Sequence, residues 1–107
     1  MFGLIARFAL RPEMVAEFDR VARETVAAVG EREPGTLAYA VHMIEGAPLT
    51  RLFYEIYRDR AAFQRHEVYE HSQRFQAARE ACLSRPPDVE FVNLMMAAGL
   101  PATVPGA

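Results

Sequence analysis

Residues 52–57 read Leu-Phe-Tyr-Glu-Ile-Tyr. Successive side chains of a strand point to opposite faces. Leu52, Tyr54 and Ile56 therefore share one side, with Phe53, Glu55 and Tyr57 on the other. A strand with one wet face alternates apolar and polar residues, and this one does not. The stretch upstream behaves the same way, with Leu37, Tyr39, Val41 and Met43 opposite Ala38, Ala40, His42 and Ile44. Toward the C-terminus, Asp88 to Ala98 sets Val92, Leu94 and Met96 against Phe91 and Met95. The sheet built from these strands is apolar on both faces.

Working outward, Phe2 to Leu10 reads as a first strand. Arg11-Pro12 opens a helix, where the missing proline N–H costs nothing. Val15, Phe18, Ala22, Val26 and Val29 form its apolar stripe at spacings of three and four. Asp19 and Arg23 stand as an i,i+4 pair on the solvated side, and Gly30 is the expected stop. Glu45 to Leu49 reads as a short hairpin loop between the second and third strands. Asp59 is a fitting N-cap for the next helical segment. Its periodicity leaves room for a break near Glu67, after which His71, Phe75, Ala78 and Cys82 recur at spacings of four, three and four. Pro86-Pro87 ends it, and Gly99 to Ala107 reads as a loose or partner-contacting tail after a domain at 1–98.

The order β-α-β-β-α-β gives an α+β, ferredoxin-like fold, a four-stranded antiparallel sheet with two helical segments on one face. Those helices cover one face only. The simplest cover for the other is the sheet of a second copy, so a homodimer is expected. The space between sheet and helices is the natural ligand pocket.

Composition narrows the function classes. The chain has 107 residues, a formal charge of −2 and one cysteine, Cys82. No basic stripe marks a nucleic-acid partner. No run approaches the roughly 18 apolar residues of a membrane span. The opening MFGLIARFAL lacks the parts of a signal peptide, and the lone cysteine fits a reducing compartment, so a cytoplasmic location is expected. No HExxH or Cys-x-x-Cys occurs, and His66 and His71 are five apart, about 140° around a continuous helix. They diverge unless the helix breaks between them. No metal is expected.

His71 shares the stripe of Phe75 and so faces the sheet, as a core histidine or as a proton acceptor. His66 leans inward behind Phe63. Glu55 is a carboxylate in an apolar strand and needs a partner, for which Arg7 and Arg51 are available. Tyr57 shares its side. Tyr39 and His42 lie on the neighbouring strand.

Three groups of residues then resemble one family. They are Glu33-Pro34-Gly35-Thr36-Leu37-Ala38-Tyr39, Phe53-Tyr54-Glu55-Ile56-Tyr57-Arg58-Asp59, and Ala62 with His66, His71 and Phe75. Together they are similar to the antibiotic-biosynthesis monooxygenase domains, quinol-monooxygenase-like members included. The resemblance implies a dimeric α+β barrel of two ferredoxin-like sheets. It also implies oxygen chemistry on a quinol-like or polyketide aromatic, often without a cofactor. Haem-degrading relatives use a first-strand asparagine and a tryptophan after the third strand. Here those positions fall near Ala6 or Arg7 and at Tyr57, so haem degradation is not expected.

On this footing the expected function is cofactor-independent monooxygenation of a small aromatic. The alternatives are a non-catalytic dimeric binding protein and an isomerase of a small polar substrate, with Arg7 or Arg51 on a phosphate. Moving a proton from a phenol to a histidine is uphill by roughly 5 kcal/mol unless the anion is stabilised. His71 is the expected base, Tyr57 or His42 the donor to the oxyanion, and His66 the relay. Tyr39, Phe53 and Phe75 are the expected walls, with Glu55 bracing Arg7 or a tyrosine.

Overall fold

The computed structural model describes residues 1–100. β1 (Phe2–Ala9) leads through a single 3-10 turn at Pro12–Met14 into α1 (Val15–Arg32). β2 (Thr36–Ile44) and β3 (Ala47–Tyr57) form a hairpin, α2 (Arg60–Val68) and α3 (Glu70–Glu80) follow, and β4 (Asp88–Asn93) closes the fold. The sheet order is β2-β3-β1-β4 with every neighbour antiparallel. This is the expected ferredoxin-like topology. Of the expected tail at 99–107, only Gly99 and Leu100 fall within the described residues. No helix among the described residues is long and apolar enough to cross a membrane.

One parity of the sheet meets the helices. Leu4, Ala6, Phe8 and Phe53 join Phe18, Val21, Ala22 and Phe75 in a single core cluster. Phe53 is 0% exposed, stacked on Phe75 and edge-on to Phe8, Phe18 and Tyr39. The other parity presents Ile5, Ala38, Ala40, Leu52, Tyr54 and Val92 on a face that no helix covers. Ile56 is buried there nonetheless, because a Cβ added at Gly3 would stand 2.7 Å from its Cδ1. The isoleucine packs over the glycine.

Local chemistry shifts several boundaries. The β2–β3 connection is a tight turn at Glu45–Gly46, with Gly46 at φ 79 supplying the left-handed residue. Pro48 and Leu49 therefore belong to β3 rather than to a loop. α1 runs through Gly30 to Arg32 and ends where Pro34 disfavours helical geometry at Glu33. Its inner face includes Val21 and the buried Thr25, whose Oγ1 donates to Val21 O at 2.8 Å, while Val26 is left outside. Asp19 does not pair with Arg23. Its carboxylate receives Nε and Nη2 of the buried Arg51, each at 3.0 Å, tying α1 to β3. That clasp occupies the arginine offered to Glu55. β4 stops at Asn93, and Met95 and Met96 beyond it are exposed.

Candidate active site

The site begins with the end of α1. Glu33 leaves the helix with its N–H bonded back to Val29 O at 3.1 Å, and its side chain turns inward, 7% exposed. Gly35 lets the turn lie against α2, since a Cβ there would meet Ala62 Cβ at 2.8 Å. Asp59 caps α2, accepting from Ala62 N at 2.8 Å. The helical segment then breaks at Tyr69, whose φ −62 and ψ 145 are extended. This break lets His66 and His71 converge on one group.

That group is the Glu33 carboxylate. His66 Nδ1 lies 2.8 and 3.0 Å from its two oxygens, Thr36 Oγ1 donates at 2.7 Å, and His71 Nε2 contacts Oε2. Both histidines and Glu33 are buried. Burial acts to raise the Glu33 carboxyl, but the bonds from His66, Thr36 and His71 outweigh it and hold it below its ordinary value. An ionised carboxylate only accepts. The network therefore assigns Nδ1–H to His66 and Nε2–H to His71. His66 Nε2 lies 4.0 Å from Glu55 Oε1. His71 Nδ1 has no partner among the described residues.

Glu55 sits on the helix side of β3, between Leu4 and Tyr39 in register. Tyr57 Oη donates to its Oε1 at 2.5 Å. Burial pushes the Glu55 carboxyl up, an effect the Tyr57 bond and His66 only partly oppose. Burial also raises the Tyr39 and Tyr57 phenols, with Glu55 adding to it.

A cavity of about 300 Å³ lies between the sheet and α2–α3. Its apolar wall is Leu4, Ala6, Phe8, Phe63 and Phe75, and its polar wall Tyr39, Glu55, His66, Ser72 and Arg79. Val89 and Phe91 on the β4 edge, with Glu67 and Gln76, complete the lining. The outer pair is joined by Gln76 Nε2 donating to Glu67 at 3.0 Å.

Among the residues expected from sequence, the structure brings His66, Tyr39, Glu55 and Phe75 to this cavity. His71 is absent from its lining and instead walls a groove between α1 and α3. Tyr57 backs Glu55 from behind, and Phe53 lies in the core, so neither forms a wall. Arg7 and His42 stand opposite Leu52 in the sheet register and so occupy the uncovered face. Of the two braces expected for Glu55, the one to Arg7 cannot form across the sheet, and the one to a tyrosine is made by Tyr57. Glu33, Ser72 and Arg79 were not legible as site residues. Glu33 ends the charged run Glu31-Arg32-Glu33, which reads as a solvated helix end. Its one signal is its place immediately before Pro34-Gly35. No cluster arranged to hold a metal ion occurs among the described residues.

Comparison with known proteins identifies the family and the fold. A family model described as antibiotic biosynthesis monooxygenase matches residues 1–78. A candidate antibiotic biosynthesis monooxygenase of Caulobacter crescentus superposes with a TM-score of 0.85 at 23% identity, over 89% of this chain and 90% of that one. Rv0793 of Mycobacterium tuberculosis gives 0.84 at 23%, over 91% and 97%. A Pseudomonas aeruginosa protein gives 0.79 at 28%, over 89% and 94%. No functionally curated protein matches the chain.

Proposed function

Because the chain belongs to the antibiotic biosynthesis monooxygenase family, we propose that it oxygenates a small electron-rich phenol or hydroquinone in the cavity beneath the sheet. The observation that carries this reading is the orientation of His66. Glu33 holds its Nδ1–H, which leaves Nε2, 4.0 Å from the cavity-lining Glu55, as the nitrogen available to take a proton. His66, rather than His71, is the base in this reading. His71 is a positioning residue that helps to fix Glu33.

The chemistry follows from the electronic structure of oxygen. Ground-state O2 is a triplet and reacts poorly with closed-shell molecules, whereas a phenolate gives up an electron far more easily than a phenol. His66 Nε2 takes the hydroxyl proton. The phenolate passes one electron to O2, the two radicals join through a new C–O bond, and the O–O bond then breaks. For hydroquinone the balance is one molecule plus O2 to 2-hydroxy-1,4-benzoquinone plus water. One oxygen atom stays on the ring, and the other leaves with two hydrogens. Transfer to histidine is uphill by roughly 5 kcal/mol. The Glu33 carboxylate offsets this by stabilising the imidazolium, and the high pKa of Tyr39 keeps its hydroxyl a proton donor toward the oxyanion. The reaction so written calls on no resident cofactor.

The test is turnover of hydroquinones and anthrones under ¹⁸O2. One labelled atom in the product and one in water is the expected result. No oxygen uptake across such a set would remove the reading.

The same reading has two copies join through their uncovered faces, where Ile5, Leu52, Tyr54 and Val92 provide the apolar surface. Sedimentation is expected to give twice the 12.0 kDa chain mass at micromolar concentration. A stable monomer would contradict it.

A further inference from the structure

Among the described residues, Arg79 is the one arginine in the lining of this cavity, and proton transfer does not use it. It stands in the last turn of α3. Its guanidinium carbon lies over the rings of Phe8 and Phe75, 5.0 and 5.4 Å from their centroids. It shares the cavity wall with both rings and with Tyr39, Glu55 and His66. Burial loosens its hold on its proton, which Tyr39 and Glu55 only partly oppose. A guanidinium nevertheless stays charged in proteins, so this is a partly desolvated cation in an aromatic pocket.

Among the described residues three other arginines are paired with acids, and Arg11 and Arg58 donate to backbone carbonyls. Arg51 is clasped bidentately by Asp19, Arg20 lies between Glu17 and Glu24, and Arg74 meets Glu70. Arg79 has neither an ion pair nor a side-chain hydrogen bond among the described residues, and the cavity-facing Glu55 is tied to Tyr57. The planar fork of arginine matches a carboxylate, which it binds through two parallel bonds. A cavity of about 300 Å³ stands at the small end of ligand pockets, suited to one or two rings.

We propose that Arg79 anchors a carboxylate, and that the ligand of this cavity is a hydroxylated aromatic carboxylic acid. Its ring packs among Phe8, Phe63 and Phe75, its carboxylate meets Arg79, and a ring hydroxyl is presented to His66. The placement of the hydroxyl rests on the oxygenase reading above. The anchor does not.

The experiment is calorimetric titration of the purified protein with three probes on one ring pattern: 2,5-dihydroxybenzoate, its neutral amide, and hydroquinone. The benzoate is expected to bind at least about tenfold tighter than either neutral probe, the worth of one good charge-assisted contact. In Arg79→Gln that preference disappears while hydroquinone affinity holds within about twofold. In Arg79→Lys, which keeps the charge without the fork, benzoate affinity falls while hydroquinone affinity again holds. Thermal melts verify that each variant is folded, and the lysine variant carries the test if the glutamine variant is not.

Equal affinities in the parent protein would overturn the anchor. So would failure of the benzoate to bind at millimolar concentration, or a preference that survives both substitutions. Oxygen uptake with the same probes separates the two claims. Arg79-dependent binding without uptake keeps the anchor and removes the oxygenase reading. Uptake without a carboxylate preference does the reverse.

Discussion

Glu33→Gln is expected to lower turnover about 10²–10⁴-fold while the protein stays folded. The carboxylate accepts from His66 Nδ1–H and thereby leaves Nε2 free to take a proton. An amide has one acceptor oxygen where the carboxylate has two, so it cannot serve Thr36, His66 and His71 together, and its N–H facing an imidazole favours the other tautomer. The base is then in the wrong tautomer. Glu33 does not line the cavity, so KM should change little while kcat collapses. His66→Gln is expected to lose at least as much. Turnover that survives in Glu33→Gln but not in His66→Gln would end the tautomer argument. Survival in both would take His66 out of the mechanism.

The same substitution has a pH signature. The folded pKa of Glu33 lies below its unfolded value. Its contribution is therefore fully present above the unfolded carboxylate pKa, about 4.3, and is lost as pH falls through the depressed folded value. The stability gap between parent and variant should be widest near neutrality, about 2 kcal/mol for charge-assisted bonds to a buried group. It should narrow in acid. Denaturant midpoints at pH 7 and pH 3 read this directly, and a gap constant with pH would contradict it.

Phe53→Ala carries the largest expected loss of stability. The ring is fully buried and contacts Phe8, Phe18, Tyr39 and Phe75. Truncation forfeits its transfer energy and leaves a hole where four rings meet, a cost of about 3–5 kcal/mol. Domains of this size are stable by only about 5–15 kcal/mol, so a large fall in urea midpoint is expected. A change below about 1 kcal/mol would show that the aromatic cluster collapses onto the void without penalty.

Much of the fold was legible because parity and periodicity are local. Both faces of 52–57 being apolar showed that one side of the sheet would lack a helical cover, though not which side, and Asp59 announced the cap it makes. The break between His66 and His71 was legible as a condition: they converge only if the helix stops, and it does. The site was less legible, because it depends on pairing across the fold. Glu33 belongs to a charged run whose burial requires α2 to lie against the Pro34-Gly35 turn. Arg7 and Arg51 look equivalent as partners for Glu55 until the register puts Arg7 on the opposite face and α1 brings Asp19 to Arg51. His71 shares the apolar stripe of Phe75, yet a shared stripe does not distinguish a cavity from the groove beside it. Arg79 carries no local mark at all.

The interruption at Tyr69 means that this site is written in counting as much as in chemistry. Adding or removing a single amino acid between His66 and His71 would change how the two short helices join at Tyr69 and shift the second imidazole relative to its carboxylate, with every functional group still encoded. A descendant could keep each of those letters and still lose the trio.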